Sequence, residues 1–135
     1  MISQLGQLTY FLSEKEVVSQ KSVILLISLA GPINRSNAAV LDKLIEELEK
    51  RSPGWVVLNL RDVGSSIERT QYPAFAKLQK TVRDKGAELK ICSVHPNLRT
   101  TLVDAGLLRV NEITNNLPEA LQSLAPKQAP GTSEK

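Results

Sequence analysis

The sequence is short of the residues that most often carry chemistry. It holds one cysteine, Cys92, and one histidine, His95. A single cysteine excludes an intrachain disulfide and a multi-cysteine metal cage, and it points to a reducing compartment. Aromatic residues are scarce as well: one Trp, two Tyr and two Phe. Single-stranded nucleic acid is usually held by stacking bases on such rings beside a dense basic surface, so the composition argues against a nucleic-acid partner. No Gly-rich phosphate loop of either standard spacing occurs, which removes the usual sequence sign of a nucleotide enzyme. The longest apolar run, residues 23–30, is broken by Ser28 and lies far below the roughly 20 residues that cross a bilayer. Residues 1–7 lack a basic start and a long apolar stretch, so no secretory leader is visible. The expectation is a cytoplasmic protein without direct membrane insertion.

What is present is ordinary for one globular domain. The chain has 135 residues, 41% hydrophobic and 23% charged, with a net charge of +3. That charge is too small to select an acidic partner, and an evenly solvated exterior accounts for it.

Residues 8–12 and 23–29 are rich in apolar and β-favouring types, and the polar residues 13–22 between them form a hairpin connection on this reading. From Ser36 the period changes. Leu41, Leu44, Ile45 and Leu48 fall at i, i+3, i+4 and i+7, one face of a helix that Asn34 or Ser36 can cap and that ends near Arg51, before Ser52, Pro53 and Gly54. Residues 55–60 are apolar except for Asn59, as in a central strand covered on both faces. A polar loop spans 61–70. A second helix then carries Phe75, Leu78 and Val82 between Pro73 and Gly86. Residues 89–94 read as a strand, residues 95–106 as a shorter helix entered at His95 and Pro96, and residues 107–113 as an edge strand interrupted by Arg109, Asn111 and Glu112. A last helix starts at Asn116, Leu117 and Pro118 and shows the face Leu117, Ala120, Leu121 and Leu124. The order predicts an α/β fold: a mixed, mainly parallel sheet with an N-terminal hairpin and about four helices. Residues 1–124 make the domain, and residues 125–135, without apolar periodicity, a disordered tail.

Few residues suggest catalysis. Ser65 and Ser66 follow Gly64, yet no Gly-x-Ser-x-Gly elbow frames them and the lone histidine is far away in sequence, so a hydrolase is the minor reading. His95 reads as a helix-entry residue and Cys92 as a small core hydrophobe. Lys77, Lys80, Arg83 and Lys85 on the second helix read as a solvated face.

Four segments, taken in order, carry a resemblance: Leu29-Ala30-Gly31-Pro32-Ile33-Asn34, Val56-Val57-Leu58-Asn59-Leu60-Arg61-Asp62-Val63, Lys85-Gly86-Ala87-Glu88-Leu89 and Val103-Asp104-Ala105-Gly106-Leu107. Together, over residues 8–124, they resemble the STAS domain family of anti-sigma-factor antagonists. The resemblance implies a mixed sheet with helices, no enzymatic activity and no cofactor. It also implies docking to a protein partner, an anti-sigma factor or kinase-like regulator, in bacterial partner-switching signalling that regulates transcription. STAS domains also accompany anion and lipid transporters, so a transport accessory subunit is the alternative, and a scaffold without phosphorylation control a second. A homodimer is left open.

In antagonist members, a hydroxyl at the start of the second helix is phosphorylated, which adds about −1.5 to −2 charge. This sequence departs from that pattern. Counting from Leu58-Asn59-Leu60 places Glu68 at the phosphorylated position, and counting back from Gly86-Ala87-Glu88 places Arg69 there, so one residue is inserted. Three readings stay open: Glu68 imitates the phosphorylated state, helped by a helix N-terminus worth about 0.3–1 kcal/mol to an anion; Ser65, Ser66 or Thr70 becomes the phosphoacceptor; or regulation is lost. The resemblance also matches Asn34 and Asp62 to acidic positions beside the switch loop and makes them, with Tyr72, partner-binding candidates. Asn34 can hydrogen-bond that loop or cap the first helix. Phe75 is expected in the core.

Overall fold

The computed structural model describes residues 6–17 and 22–124. Strand β1 (Thr9–Val17) pairs antiparallel with β2 (Ser22–Ala30), in a register that runs from Thr9 opposite Ala30 to Val17 opposite Ser22. Helix α1 (Ala38–Glu49), β3 (Trp55–Asp62), α2 (Tyr72–Asp84), β4 (Glu88–Cys92), α3 (Pro96–Asp104), the short β5 (Ile113–Thr114) and α4 (Leu117–Gln122) follow. The five strands lie in the order β1-β2-β3-β4-β5, and every pair after the first is parallel. This is the mixed, helix-covered sheet that the sequence implies.

Alternation along each strand divides the interior into two layers. On one side Leu25, Ile27 and Leu29 of β2 meet Leu41, Leu44 and Leu48 of α1 and Phe75, Leu78 and Val82 of α2. On the other, Val57 and Cys92 are sealed by Ala120 of α4, with Leu117, Leu121 and Leu124 packed around them. The 2-period of the strands and the 3.6-period of the helices thus bury matching stripes, and removing one large side chain from this core costs about 2–5 kcal/mol.

Four local expectations are corrected. The hairpin connection does not span residues 13–22, because β1 continues through Ser13, Glu14, Lys15 and Glu16 to Val17. These residues lie on an edge strand, where charged side chains reach water while the backbone still pairs with β2. β4 stops at Cys92 rather than at residue 94, since Ser93 turns to φ 61. Residues 107–113 do not form an edge strand. Gln79 of α2 donates to the Leu107 carbonyl at 2.6 Å, and Arg83 grips the Glu112 carboxylate at 3.2 and 2.6 Å. These grips hold the segment as a loop and a 3-10 turn, Val110–Glu112, and only Ile113 and Thr114 reach β4. For the same reason Arg83 belongs to a half-buried ion pair and not to a solvated face. The expected tail, residues 125–135, lies outside the described residues.

Candidate docking site

The parallel strands β2 and β3 end side by side, and the two loops that leave them are tied together at three points. The first tie depends on Gly31. Its φ of +113 favours glycine, and a Cβ there would stand 2.5 Å from the Gln7 carbonyl oxygen, closer than any real contact, so a side chain is excluded. With the chain turned in this way, the Gly31 amide donates to the Asp62 carbonyl at 3.0 Å. In the second tie, the Glu68 amide donates to the Ile33 carbonyl at 2.9 Å. The third is the Glu68 carboxylate, whose Oε1 accepts from the Arg35 amide at 2.8 Å and from the Thr70 hydroxyl.

The loop from β3 is pinned at both flanks by apolar side chains. Val63 and Ile67 are buried, and Gly64, Ser65 and Ser66 between them face solvent. Glu68 therefore leaves a fixed position. The Thr70 hydroxyl, and after it the Arg35 amide, holds the Glu68 carboxyl below the usual carboxylate range, against a smaller desolvation that raises it, because hydrogen bonds to the charged form favour it. Glu68 occupies the N-cap of the 3-10 turn Arg69–Gln71, yet its side chain makes no capping hydrogen bond. The carboxylate is held by the Thr70 hydroxyl of its own turn and by the Arg35 amide of the neighbouring loop, and not by a capping amide.

The remaining candidates divide. The Asn34 side chain accepts from the Asn37 amide at 3.2 Å and from the Ser36 hydroxyl at 2.8 Å. It caps the 3-10 turn Arg35–Asn37 that enters α1, and of its two options capping is the one realised. Ser36 supports the cap and does not itself form it. Asp62 is exposed at the end of β3. Thr70 is engaged twice, since its hydroxyl oxygen also accepts from Gln71 at 3.2 Å. Arg69 and Tyr72 stand on one wall of a cleft of about 280 Å³ whose other wall is Thr101, Asp104 and Ala105 of the α3 end. Tyr72 is half-buried and Phe75 fully so. His95 caps α3, its Nδ1 accepting from the Asn97 amide at 3.1 Å. Burial pushes the Cys92 thiol up, which leaves it inert at neutral pH.

Sequence reasoning missed Arg35 and the α3 wall of the cleft. Arg35 acts through a backbone amide, which any residue supplies, so its type carries no signal. Asp104 stood in one of the four quoted segments, but nothing in the spacing places it across from Arg69.

The site is thus a pair of joined loops at the strand ends of a helix-covered mixed sheet, and no cluster of metal-ligating side chains occurs among the described residues. The chain belongs to the STAS domain family, whose model matches residues 14–120. Its fold is similar to that of an anti-sigma factor antagonist from Mycobacterium paratuberculosis, at 18% identity over 85% of this chain and 93% of that one, with a TM-score of 0.63. A serine-to-glutamate variant of RsbS from Moorella thermoacetica is similar at 12% identity, 82% and 92% coverage and a TM-score of 0.62. The murine anion transporter Slc26a9 is similar at 12% identity and a TM-score of 0.66, over 84% of this chain. This chain spans only 22% of that transporter. At these identities the likeness is one of fold. Among the described residues, no helix is long and apolar enough to cross a membrane.

Proposed function

We propose that the chain is a non-enzymatic docking module of the antagonist type, which binds a regulatory protein, an anti-sigma factor or kinase-like partner, through the joined loops 31–37 and 63–71. The observation that carries this reading is the Glu68 carboxylate, charged and clamped by the Arg35 amide and the Thr70 hydroxyl. A negative charge is thereby built into the loop where antagonists acquire one by phosphorylation. Docking is then set by the sequence and not switched by a kinase. The mimicry is partial, because a carboxylate carries one charge where a phosphate carries about −1.5 to −2.

Around this clamp each candidate has a role. Glu68 fixes the shape of the surface, Asn34 holds the entry to α1, and Arg69 and Tyr72 offer the partner a cation and a phenol beside the Asp104 cleft. Asp62 adds an exposed carboxylate at the strand end. Engagement with Glu68 and Gln71 argues against Thr70 as phosphoacceptor. Ser65 and Ser66 are exposed, and phosphate found on either would replace this constitutive reading with a switched one. No cofactor enters this reading.

The test is quantitative capture by the immobilised full chain from extracts of cells that express it, read by mass spectrometry for partner and modification. A regulatory protein retained by the wild type should fall on the order of tenfold with Arg69→Glu, since charge reversal in a docking patch commonly costs that much. Equal recovery with both would sink the proposal. The fold shared with Slc26a9 supports a second reading, an accessory subunit of a membrane transport complex; recovery of such a complex would select it.

A further inference from the structure

Strand β1 is the margin of the sheet, and no described strand pairs with its outer side. Such an edge presents a row of free amides and carbonyls ready to pair with another strand. It carries Phe11, 69% exposed; Val110 is the other large apolar side chain so exposed among the described residues. Tyr10 and Leu12 pack against the main core, so Phe11, Ser13 and Lys15 share the opposite face.

We propose that two copies of the chain join through β1, antiparallel and edge to edge, about a two-fold axis normal to the sheet at Ser13. Ser13 is the midpoint of Thr9–Val17, so this register lays the whole strand against its counterpart. Phe11 meets the partner's Lys15, a cation over a ring. Leu12 meets the partner's Glu14, and Tyr10 the partner's Glu16. No two like charges stand opposite. Moving the axis to Glu14, Lys15 or Glu16 sets that charge against its own copy, which is destabilising. Axes nearer the N-terminal end shorten the ladder.

A feature outside the strand fits the same register. Between β1 and α1 lies an open, mainly apolar groove of about 400 Å³ lined by Leu8, Thr9, Tyr10, Ala39, Val40 and Lys43. The partner's Glu16, seated opposite Tyr10, arrives at this groove, and Lys43 supplies the opposite charge. The two-fold repeats the pair. This seam is separate from the loop surface, so its failure leaves the docking proposal standing.

Sedimentation velocity on the full chain tests it. The wild type should be a dimer and Phe11→Glu a monomer of unchanged circular dichroism. Lys43→Glu and Glu16→Lys should each weaken the dimer about tenfold, and the double reversal should restore it. Residues facing each other on antiparallel strands have Cα atoms about 4.5–5.5 Å apart, within disulfide reach. Ser13→Cys should therefore cross-link the dimer on oxidation and Lys15→Cys should not, with native Cys92 buried and silent. A monomeric wild type, a dimer that survives Phe11→Glu, absence of the Ser13→Cys cross-link, or singles that the double fails to rescue would overturn the seam.

Discussion

The charge of Glu68 is turned toward the Arg35 amide and the Thr70 hydroxyl, and its carboxyl is held below the ordinary range by them. The sign of the linkage follows. A carboxyl whose folded value lies below its unfolded one stabilises the fold above the unfolded value, and that contribution is lost as pH falls through the folded value. Glu68→Gln should therefore lower Tm relative to wild type at about pH 7, with the gap closing as the pH drops below about 4. A gap that does not change with pH would assign the effect to something other than charge. Gly31 gives a second expectation: Gly31→Ala should cost at least about 2 kcal/mol in urea denaturation, from the left-handed backbone together with the clash on Gln7. Much at this scale was legible from residue type. Asn34, His95 and Asn116 stand just before apolar-periodic runs and cap the helical turns they precede, because a side-chain acceptor there meets free amides two or three residues on. The Glu68 clamp was not legible. One of its two donors, the Thr70 hydroxyl, is local, but the other is a main-chain amide 33 residues away, and local sequence contains no term for that distance.

Elements with strong internal periodicity were readable, and the weakly patterned ones were settled by tertiary contacts. α1, β3 and α2 follow from their apolar spacing, and each ends within about two residues of the sequence expectation. Residues 107–113 carry mixed signals, and two side chains of α2 decide between strand and loop: Gln79 takes the Leu107 carbonyl and Arg83 takes Glu112. This makes the Arg83–Glu112 pair a fastener between α2 and the approach to β5. Its exposures of 26% and 11% place it between a surface and a buried pair. Arg83→Ala, which leaves the buried Glu112 carboxylate without its partner, should cost about 2 kcal/mol in urea denaturation, and adding Glu112→Gln should recover part of it. No recovery in the double variant would show that the guanidinium acts by packing and not by charge.

For the molecule as a whole, the parallel crossovers put the loops after β2 and β3 at one end of the sheet, while the antiparallel β1 occupies its margin. The proposed docking surface therefore lies at one end of the sheet and the proposed seam along its margin, and the two do not overlap. The order of elements, read from alternating periods, was enough to identify this architecture, because short right-handed connections leave few other ways to cover a mainly parallel sheet. What the order does not contain is the state of the loop surface, which depends on whether one carboxylate ties two loops into a single preset shape. Amide hydrogen exchange at Arg35 reads that directly. The wild type should show a protected Arg35 amide that becomes fast-exchanging in Glu68→Ala, together with loosening of the Glu68 amide on Ile33. Equal exchange at Arg35 in the two proteins would contradict the account.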